Sequence, residues 1–513
     1  MARSARVFRN LYRDSVALMQ LSAKLGALAG VRQASAIMAT AGNLALLREA
    51  GLALGDVAAG PDDLLIALEG EEEALEAALD TAEAELTRVP AAAHEGRFRR
   101  TPPRSLEMGL SELPTANLAL ISTPGEYAAA EAMKALRLGL NVMLFSDNVA
   151  LEDEIALKRY ARAHDLLVMG PDCGTAIIGG VPLGFANVVR RGDIGAIAAS
   201  GTGLQQVTCL IDRWGKGISQ AIGTGGHDLH ASVGGITMLQ GLDALAADPA
   251  TRVIVLISKP PHPNVAQRVL DAAARSGKPI VVNFLGADPD AARRANIHPV
   301  RTLEDAARLA VALASGGGDA QTGAAPSEVA VGVARLAPGQ KYIRGLYSGG
   351  TFCYEALLLL RETLGGIASN TPLEPERMLA DVWRSEGHTV IDLGDDAFTR
   401  GRPHPMIDQT LRRERILQEA ADPEVAVILL DVVLGYGAHP DPAPELAAAL
   451  AQARALAAAA GRQLAFVASV CGTAGDPQDL ARQEGALREA GVLLAESNAQ
   501  AVRLATAIAA REG

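Results

Sequence analysis

The sequence predicts a multi-domain α/β protein with a small α+β domain, a Rossmann-like domain and two flavodoxin-like domains. Its length of 513 residues accommodates three or four domains. From Asn117 onward, short apolar runs alternate with helical stretches of about 10–15 residues, which indicates a parallel sheet. The segment from Ile194 to Leu313 also aligns with the segment from Tyr342 to Ala509, so the C-terminal part contains an internal repeat.

The domain boundaries are placed where the composition changes. The predicted segments are a ferredoxin-like or ACT-like domain (1–90), a linker (91–114), the Rossmann-like domain (115–190), a flavodoxin-like domain (191–315), a linker rich in Gly, Ala and Pro (316–340) and a second flavodoxin-like domain (341–513). The first linker is rich in proline and arginine, so an alternative is a basic strap that contacts an anion.

Periodicity justifies the elements of the first two domains in turn. In the α+β domain we expect strands at Val31–Thr40 and Asp63–Leu68 and an Ala/Glu-rich helix at Glu71–Thr87. In the Rossmann-like domain we expect strands at 118–123, 141–146 and 166–170, and helices at Glu126–Leu138 and Leu151–Ala163.

Five elements of the repeat match in the same order. Each copy opens with a strand, a Gly-rich turn and a helix, written GAIAASGTGLQQVTCLI in the first copy and IRGLYSGGTFCYEALLLL in the second. The second strands match as GISQAIGTGGHDL with HTVIDLGDDAFTR. The next two match as DPATRVIVLISKPP with DPEVAVILLDVVLG, and as GKPIVVNFLGADPD with GRQLAFVASVCGTAGDPQD. Each copy closes with a helix. Such a match indicates two copies of one fold.

Composition excludes several classes of function. Hydrophobic residues make up 49% and charged residues 21%, which is typical of a globular protein. The net charge of −12 argues against a nucleic-acid partner. Four widely spaced cysteines form no CxxC pair, so neither a zinc site nor a disulfide framework is expected. Without a long apolar run or a targeting segment, we expect a cytoplasmic protein that does not enter the membrane.

Two Gly-rich turns are candidate phosphate-binding sites. A helix N-terminus offers free N–H groups and partial positive charge, and glycines let the backbone approach an anion. The alternative is a tight turn with an N-cap hydroxyl, but the equivalent positions in both copies favour anion binding. The candidate residues are Ser200, Gly201, Thr202 and Gly203 in the first copy, and Ser348, Gly349, Gly350 and Thr351 in the second.

Two further loops are candidates for substrate binding, and for each the alternative is an ordinary surface loop. Their residues are Gly170, Pro171, Asp172, Cys173, Gly174 and Thr175 in one loop, and Gly225, Gly226, His227 and Asp228 in the other. A nucleophilic role of Cys173 is disfavoured because no spaced histidine marks its base. His227 and Asp228 are candidates for acid–base chemistry.

Histidines and arginines recur in the matching loops of the second copy. Arg400 and Arg402 flank His404, which makes an anionic substrate plausible there, and His439 lies in a later loop. Surface positions are the alternative for each. The histidines form no metal-ligand spacing, so no metal site is expected.

At these residues the sequence resembles the FdrA family, which is related to succinyl-CoA synthetase. GPDCGT, ASGTG and GTGGHD are similar to the GPNCPG, SRSGT and GIGGDP motifs of the ligase α subunit. Residues 117–190 resemble part of its CoA-binding domain, and the second copy is similar to the last domain of the β subunit. The FdrA resemblance extends over nearly all of the chain and includes SGGTFCYEA, HPMID and DVVLGYGAHPDP.

The sequence departs from the ligases at the residues that relay phosphate. His298 is near the spacing of the phosphohistidine, but it lacks the flanking GHAGA sequence. Lys259 stands where the ligases place the glutamate that orients this histidine. A lysine cannot accept the imidazole N–H, but it can bind an anion. No ATP-grasp domain is visible either, so nucleotide chemistry would need a partner chain.

The FdrA resemblance implies an oxamate carbamoyltransferase of allantoin and purine catabolism, which exchanges carbamoyl phosphate and oxamate with oxalurate and phosphate. It implies partner subunits in a homo- or hetero-oligomer and no required cofactor. The candidates for catalysis are Lys259, His227, Asp228 and His404, and Arg402 is a candidate for the substrate carboxylate. One alternative is an acyl-CoA synthetase that uses CoA and ATP with Mg²⁺. Another is a non-catalytic ligand-sensing or scaffold subunit.

Overall fold

The chain divides into two compact units. A computed structural model describes residues 2–52, 58–87, 103–317, 336–400 and 402–510. The first unit comprises Met1–Asp172 with Phe398–Pro403, and the second comprises Cys173–Ala397 with His404–Gly513. Most of the two predicted linkers lies outside the described residues. Within the described ranges, no helix has the length and apolar character needed to cross a membrane.

An antiparallel sheet with helices forms the N-terminal part of the first unit. Its elements are β1 (Ala2–Phe8), α1 (Ser15–Gly26), β2 (Val31–Met38), α2 (Ala41–Glu49), β3 (Leu64–Gly70) and α3 (Glu72–Thr87). The strand order is β1-β3-β2, and both pairs are antiparallel. Apart from α2, which lies between β2 and β3, the order of elements is that of the first part of a ferredoxin-like fold.

The central strand β3 is buried on both faces. Leu64, Ile66 and Leu68 pack into one apolar cluster with helices α1 and α3. Leu65 and Ala67, at the alternate positions, pack into a second cluster on the opposite face. Because side chains alternate along a strand, the continuous apolar run LLIAL supplies both cores at once.

A parallel sheet follows in the first unit, in the order β4-β5-β6. The elements are α4 (Leu106–Glu112), β4 (Leu118–Ile121), α5 (Gly125–Arg137), β5 (Asn141–Leu144), α6 (Leu151–Ala163) and β6 (Val168–Met169). The prediction of a plain linker up to residue 114 is wrong in its last part. Ser105 caps α4, and Leu106 and Leu110 pack against the apolar core of this sheet.

The second unit contains two sheets. The first copy consists of β7 (Thr175–Ile178), β8 (Val181–Gly184), β9 (Arg191–Ala198), α7 (Gly201–Arg213), β10 (Ile218–Gly223), α8 (Ile236–Ala247), β11 (Val253–Ser258), α9 (Pro263–Arg275), β12 (Ile280–Phe284), α10 (Pro289–Ala292), β13 (Ile297–Pro299) and α11 (Leu303–Ala314). The second consists of β14 (Tyr342–Tyr347), α12 (Gly350–Leu364), a 3₁₀ turn (Pro375–Arg377), β15 (Thr389–Asp392), α13 (Asp396–Thr399), α14 (Thr410–Ala421), β16 (Val425–Val433), α15 (Pro442–Ala459), β17 (Ala465–Cys471), α16 (Leu480–Glu489), β18 (Leu493–Ala495) and α17 (Asn498–Ala509).

Both copies have the strand order of a flavodoxin-like fold. The parallel strands run β10-β9-β11-β12-β13 in the first copy and β15-β14-β16-β17-β18 in the second. Numbered within each copy, both orders are 2-1-3-4-5, as in flavodoxin. The predicted fold class and the internal repeat are therefore confirmed. In this fold the ligand site lies at the carboxyl ends of the strands, where the order reverses between the first and third strands.

A hairpin extends the sheet of the first copy. Strands β7 and β8 pair antiparallel, and β7 pairs with β10. Residues 175–184 therefore belong to the sheet of the first flavodoxin-like domain, whereas the sequence placed them in the Rossmann-like domain. The compact units accordingly divide at Asp172, before the predicted boundary at residue 190.

A buried polar network joins the two copies within the second unit. The Asp476 carboxylate accepts hydrogen bonds from Asn187 Nδ2 (2.7 Å), Val188 N (2.8 Å) and Thr473 N (2.8 Å). Asn187 also accepts from Gln205 Nε2 at 3.0 Å, which ties the network to helix α7. Because the carboxylate accepts three hydrogen bonds in a largely buried place, it fixes the contact between the copies.

Substitution of Asp476 by alanine tests this network. It leaves several buried donors without their acceptor, so we expect the free energy of unfolding to fall by at least about 2 kcal/mol in urea denaturation. Asp290→Ala is the matched control, since Asp290 pairs only with exposed Arg293 on the surface, and it should cost about 0.5 kcal/mol or less. Equal losses for both variants would contradict this interpretation.

Candidate active site

The first Gly-rich turn joins β9 to α7 at the switch point of the first copy. Ser200 is the N-cap of α7, and its Oγ accepts a hydrogen bond from Gly203 N at 2.9 Å. A Cβ on Gly203 would lie 2.5 Å from this oxygen, so the cap requires glycine here. The cap uses the N–H of Gly203, and the earlier amides of Gly201 and Thr202 remain at the helix N-terminus for an anion.

The second turn is already occupied by a carboxylate of the protein. Ser348 N and Oγ each donate to Asp431 at 2.8 Å, and Gly349 N donates to it at 3.0 Å. Asp431 is fully buried and also accepts from Arg412 Nη2 at 2.9 Å. The structure therefore contradicts the prediction that Ser348 and Gly349 bind phosphate, because Asp431 already takes these donors.

The two turns meet at the contact between the copies. Ser200 Oγ lies 2.6 Å from Thr351 Oγ1, within hydrogen-bond distance. A Cβ on Gly349 would lie 2.8 Å from Thr202 Cγ2, so this close approach also requires glycine. Helix α12 has no side-chain cap. The N-termini of α7 and α12 thus converge, and both contribute partial positive charge to one place.

Lys259 lies at the same edge of the second unit. It follows the end of β11, is exposed, and places its Nζ 5.5 Å from the centroid of the Tyr354 ring on α12. Its positive charge lowers the pKa values of Asp392 and Cys353, although burial raises both overall. An ammonium group therefore accompanies the two helix N-termini. Sequence reasoning found Lys259 and missed Tyr354.

Asp392 is a second group that sequence reasoning missed. It is the last residue of β15, and its Oδ1 accepts from Gly394 N at 2.9 Å. A Cβ on Gly350 would lie 2.5 Å from its Oδ2, so the carboxyl lies against the start of α12. Burial raises the pKa of Asp392 to about 6, against the opposing effect of Lys259. The sequence feature that could have identified Asp392 is its position at the end of a strand.

His404 approaches the same place from another loop. A Cβ on Gly394 would lie 2.7 Å from His404 Nε2 and 3.2 Å from Asp392 Oδ1, so both side chains flank this glycine. His404 Nδ1 accepts from Met406 N at 3.2 Å. Burial, aided by the charge of Arg412, lowers the pKa of His404 to about 4. At neutral pH the imidazole is therefore uncharged, with its proton on Nε2.

The loop at 225–228 has a structural role at its last residue. Asp228 is fully buried, and its carboxylate accepts from Thr237 N at 3.1 Å and Met238 N at 2.9 Å, which caps helix α8. This geometry replaces the predicted acid–base role of Asp228 with a capping role. Gly226 and His227 are exposed beside it, and the His227 ring lies 5.1 Å from that of His230. Gly225 has a positive φ of 84° in the same loop.

The loop at 170–175 is divided between the two compact units. Gly170, Pro171 and Asp172 group with the first unit, and the later residues group with the second. Cys173 is buried, and its Sγ lies 3.6 Å from Thr175 O and 3.5 Å from Gly223 O, so its single S–H can donate to one of these carbonyls. Such burial is typical of an inert structural cysteine.

Thr175 lies beside the first Gly-rich turn. A Cβ on Gly201 would lie 3.4 Å from Thr175 Oγ1, and this hydroxyl donates to Phe185 O at 2.7 Å. Gly174 precedes it, and its carbonyl accepts from Phe185 N at 2.7 Å. The hairpin β7–β8 thereby places Thr175 next to the N-terminus of α7.

The remaining sequence candidates are Arg402, His439 and His298. Arg402 is in the segment Phe398–Pro403, which groups with the first unit, and Arg400 of that segment lies 3.8 Å from Glu49. His439 Nε2 lies 3.2 Å from Glu445. His298 is in the edge strand β13 beside Val281, near the start of β12, about 10 Å along the strand from the carboxyl end.

Comparisons with known proteins first define the class. Residues 346–508 match the family model described as CoA-ligase, and residues 1–102 match the model described as the heavy metal-associated domain of AllF. The α subunit of the ADP-forming succinate–CoA ligase of Aquifex aeolicus is 28% identical over 153 residues, 28% of this chain and 48% of the subunit. The sulfoacetate–CoA ligase subunit SauD of Bilophila wadsworthia is 26% identical over 162 residues, 30% and 54% respectively. The chain is therefore a CoA-ligase-like α/β protein that spans about half of these two subunits.

A full-length relative then shows the family. The uncharacterized protein YahF of Escherichia coli is 45% identical over 495 residues, which is 95% of each chain. The chain belongs to the FdrA family, which is related to succinyl-CoA synthetase. An acetyl-coenzyme A synthetase structure from Ca. Korarchaeum cryptofilum is 16% identical, with a TM-score of 0.33, over 78% of this chain and 84% of that one.

The N-terminal match raises the question of a heavy metal. Residues 1–102 contain no cysteine and a single histidine, His94. Among the residues that the structure describes, no group of three or more His, Cys, Asp or Glu side chains is arranged to hold a metal ion. Since soft metals require thiolate or several imidazole ligands, the residues of this segment do not fit such a metal.

The buried pair of Arg412 and Asp431 can be tested directly. Arg412→Met leaves the Asp431 carboxylate buried without its cation, so we expect the free energy of unfolding to fall by about 3 kcal/mol. The neighbouring Arg413 is half-exposed and lies 3.9 Å from Glu445, so Arg413→Met should cost about 1 kcal/mol or less. Chemical denaturation of both variants would show whether this difference exists.

Proposed function

We propose that this chain is the subunit of a carbamoyltransferase that exchanges carbamoyl phosphate and oxamate with oxalurate and phosphate. The observation that carries the proposal is the convergence of two helix N-termini and Lys259 at one edge of the second unit. Transfer from an acyl phosphate needs such a cradle for the phosphoryl group and no covalent protein intermediate.

The position of His298 supports direct transfer. In the ligases that the sequence resembles, a histidine carries the phosphoryl group between sites. Here His298 lies in the edge strand β13, beside the start of β12, whereas the anion-binding turn follows the carboxyl end of β9. Lys259 in place of the orienting glutamate adds a cation for phosphate or for the oxamate carboxylate.

Each group then has a defined part in the proposed reaction. The amides of Gly201 and Thr202 and the open N-terminus of α12 donate to the phosphoryl oxygens, and Lys259 compensates their charge. The neutral His404, with its proton on Nε2, is a candidate donor to the carbamoyl oxygen. Arg402 remains a proposed contact for the substrate carboxylate. Partner subunits are proposed because the family resemblance implies them.

The proposed reaction is tested by product formation. The full-length chain, together with its partner subunits, should convert carbamoyl phosphate and oxamate into oxalurate, measured by chromatography. Lys259→Met should lower kcat/KM by roughly 10-fold to 100-fold, because it removes about 1.5–3 kcal/mol of charge-assisted hydrogen bonding. Lys278→Met serves as the matched control, since Lys278 Nζ binds the carbonyls of Leu245 and Asp248 away from this edge. Absence of oxalurate together with thioester formation from CoA and ATP would refute the proposal.

An acyl-CoA synthetase remains a second candidate because the CoA-ligase model matches residues 346–508. The turn after β4 also carries two buried hydroxyls without a hydrogen-bond partner, those of Ser122 and Thr123. Polar groups at the carboxyl end of such a strand fit a ligand such as CoA. When bound, CoA would supply the thiol that accepts an acyl group.

Phosphate labelling separates the two candidates. If the chain is a carbamoyltransferase, incubation with terminally labelled ATP and its partner subunits should leave it unlabelled. Label that is stable in base and is lost in His298→Ala or His404→Ala would instead indicate a phosphohistidine and favour the synthetase. His164→Ala is the control, because the exposed His164 binds the carbonyl of Tyr160 within the first unit.

A further inference from the structure

We propose that Asp392 is a catalytic residue that carries the proton between the attacking or leaving nitrogen of the substrate and the phosphate group. This inference rests on the proposed function. No residue assigned so far to the reaction can accept a proton at neutral pH, because Lys259 is a cation and His404 holds its proton on Nε2. The reaction nevertheless needs a base for the amide N–H of oxamate.

The geometry aims the Asp392 carboxyl at the anion-binding place. Its Oδ1 is held by Gly394 N at 2.9 Å, which leaves Oδ2 against Cα of Gly350 at the open start of α12. The absence of a side chain on Gly350 is required here, since a Cβ would lie 2.5 Å from Oδ2. A carboxyl so placed lies beside the position where a bound phosphate would accept the amides of α12.

The charged and titratable groups around Asp392 come from several elements. Lys259 after β11 favours its ionised form, and Asp395 in its own loop and Asp431 on β16 oppose ionisation. Cys353 on α12 is close enough for Asp392 to raise its pKa, and His404 flanks Gly394 on the other side. Burial is the largest influence and raises the pKa of Asp392 to about 6. The group is therefore mostly ionised at neutral pH and returns a proton easily.

The proton and the bonds balance in both directions. In synthesis, the oxamate nitrogen attacks the carbamoyl carbon, a C–N bond forms, and the Asp392 carboxylate takes the N–H proton. The C–O bond to phosphate then breaks, and the departing phosphate receives this proton from Asp392 as hydrogen phosphate. In phosphorolysis, hydrogen phosphate gives its proton to Asp392 as it attacks, and Asp392 passes it to the departing nitrogen.

Asp392→Asn tests the role with the full-length chain and its partner subunits. The amide keeps the shape and the bond from Gly394 N, so we expect kcat to fall roughly 100-fold or more with KM for carbamoyl phosphate unchanged or lower. In the wild type, kcat/KM should fall as the pH drops below about 6, because the ionised form is the base. This acidic limb of the pH profile, the fall of kcat/KM below about pH 6, should be absent in Asp392→Asn. Asp396→Asn, at an exposed position on α13, should keep both the activity and the limb.

Sulfate binding gives a readout that does not depend on turnover. Sulfate stays fully ionised near neutral pH, so any proton taken up on binding belongs to the protein. Calorimetry in buffers of different ionisation enthalpy should show proton uptake by the wild type and by Asp396→Asn, and none by Asp392→Asn. The Asp392→Asn variant should also bind sulfate more tightly at neutral pH, since it lacks the carboxylate charge.

The outcomes separate the two proposals. If the wild type forms no oxalurate, the proposed function fails, and the calorimetry still decides whether Asp392 faces the anion. If the wild type is active and Asp392→Asn keeps its kcat within about threefold with an unchanged pH limb, the role of Asp392 is overturned. Equal proton uptake by wild type and Asp392→Asn would overturn it as well.

Discussion

The candidate site depends on the buried ion pair of Arg412 and Asp431. Asp431 gathers the amides of Ser348 and Gly349 and the hydroxyl of Ser348 around its carboxylate, and Arg412 neutralises it. This fixes the path of the chain into α12, and it sets where the N-terminus of α12 meets that of α7. It also means that the second Gly-rich turn binds the protein itself, so the proposed anion-binding place is defined by the first turn and by the start of α12.

Much of the fold was predictable because it follows from periodicity. The apolar runs and the Gly-rich turns of the repeat predicted four of the five parallel strands of each copy, but not the short edge strands β13 and β18. The observed order β15-β14-β16-β17-β18 repeats that of the first copy. The hairpin β7–β8 was not predicted to join the sheet of the first copy, because its antiparallel pairing with β10 is set by a contact of Ile177 with Ala221. Strand pairing across such a separation leaves no periodic signal in the local sequence.

The candidate site was only partly predictable, for a related reason. Ser200, Lys259 and His404 stood out because turns, charges and strand ends are visible locally. The pairing of Ser348 with Asp431 joins residues 83 positions apart, and no local pattern shows that a buried carboxylate will occupy a Gly-rich turn. Asp392 was overlooked although it ends a strand. It becomes a candidate only because its carboxyl lies close to Gly350 on another element. The motifs thus predicted which edge of the sheet carries the site, whereas the contacts between side chains there depend on tertiary packing.

The contact between Ser200 and Thr351 joins two copies of one fold that are carried by a single polypeptide. The two halves of the anion-binding place are therefore always present in equal number, and neither has to find the other by diffusion. Tethering of this kind replaces a bimolecular encounter by an intramolecular one with a high effective concentration. It also lets the copies specialise, so that the first Gly-rich turn is left for the proposed ligand while the donors of the second are taken by Asp431.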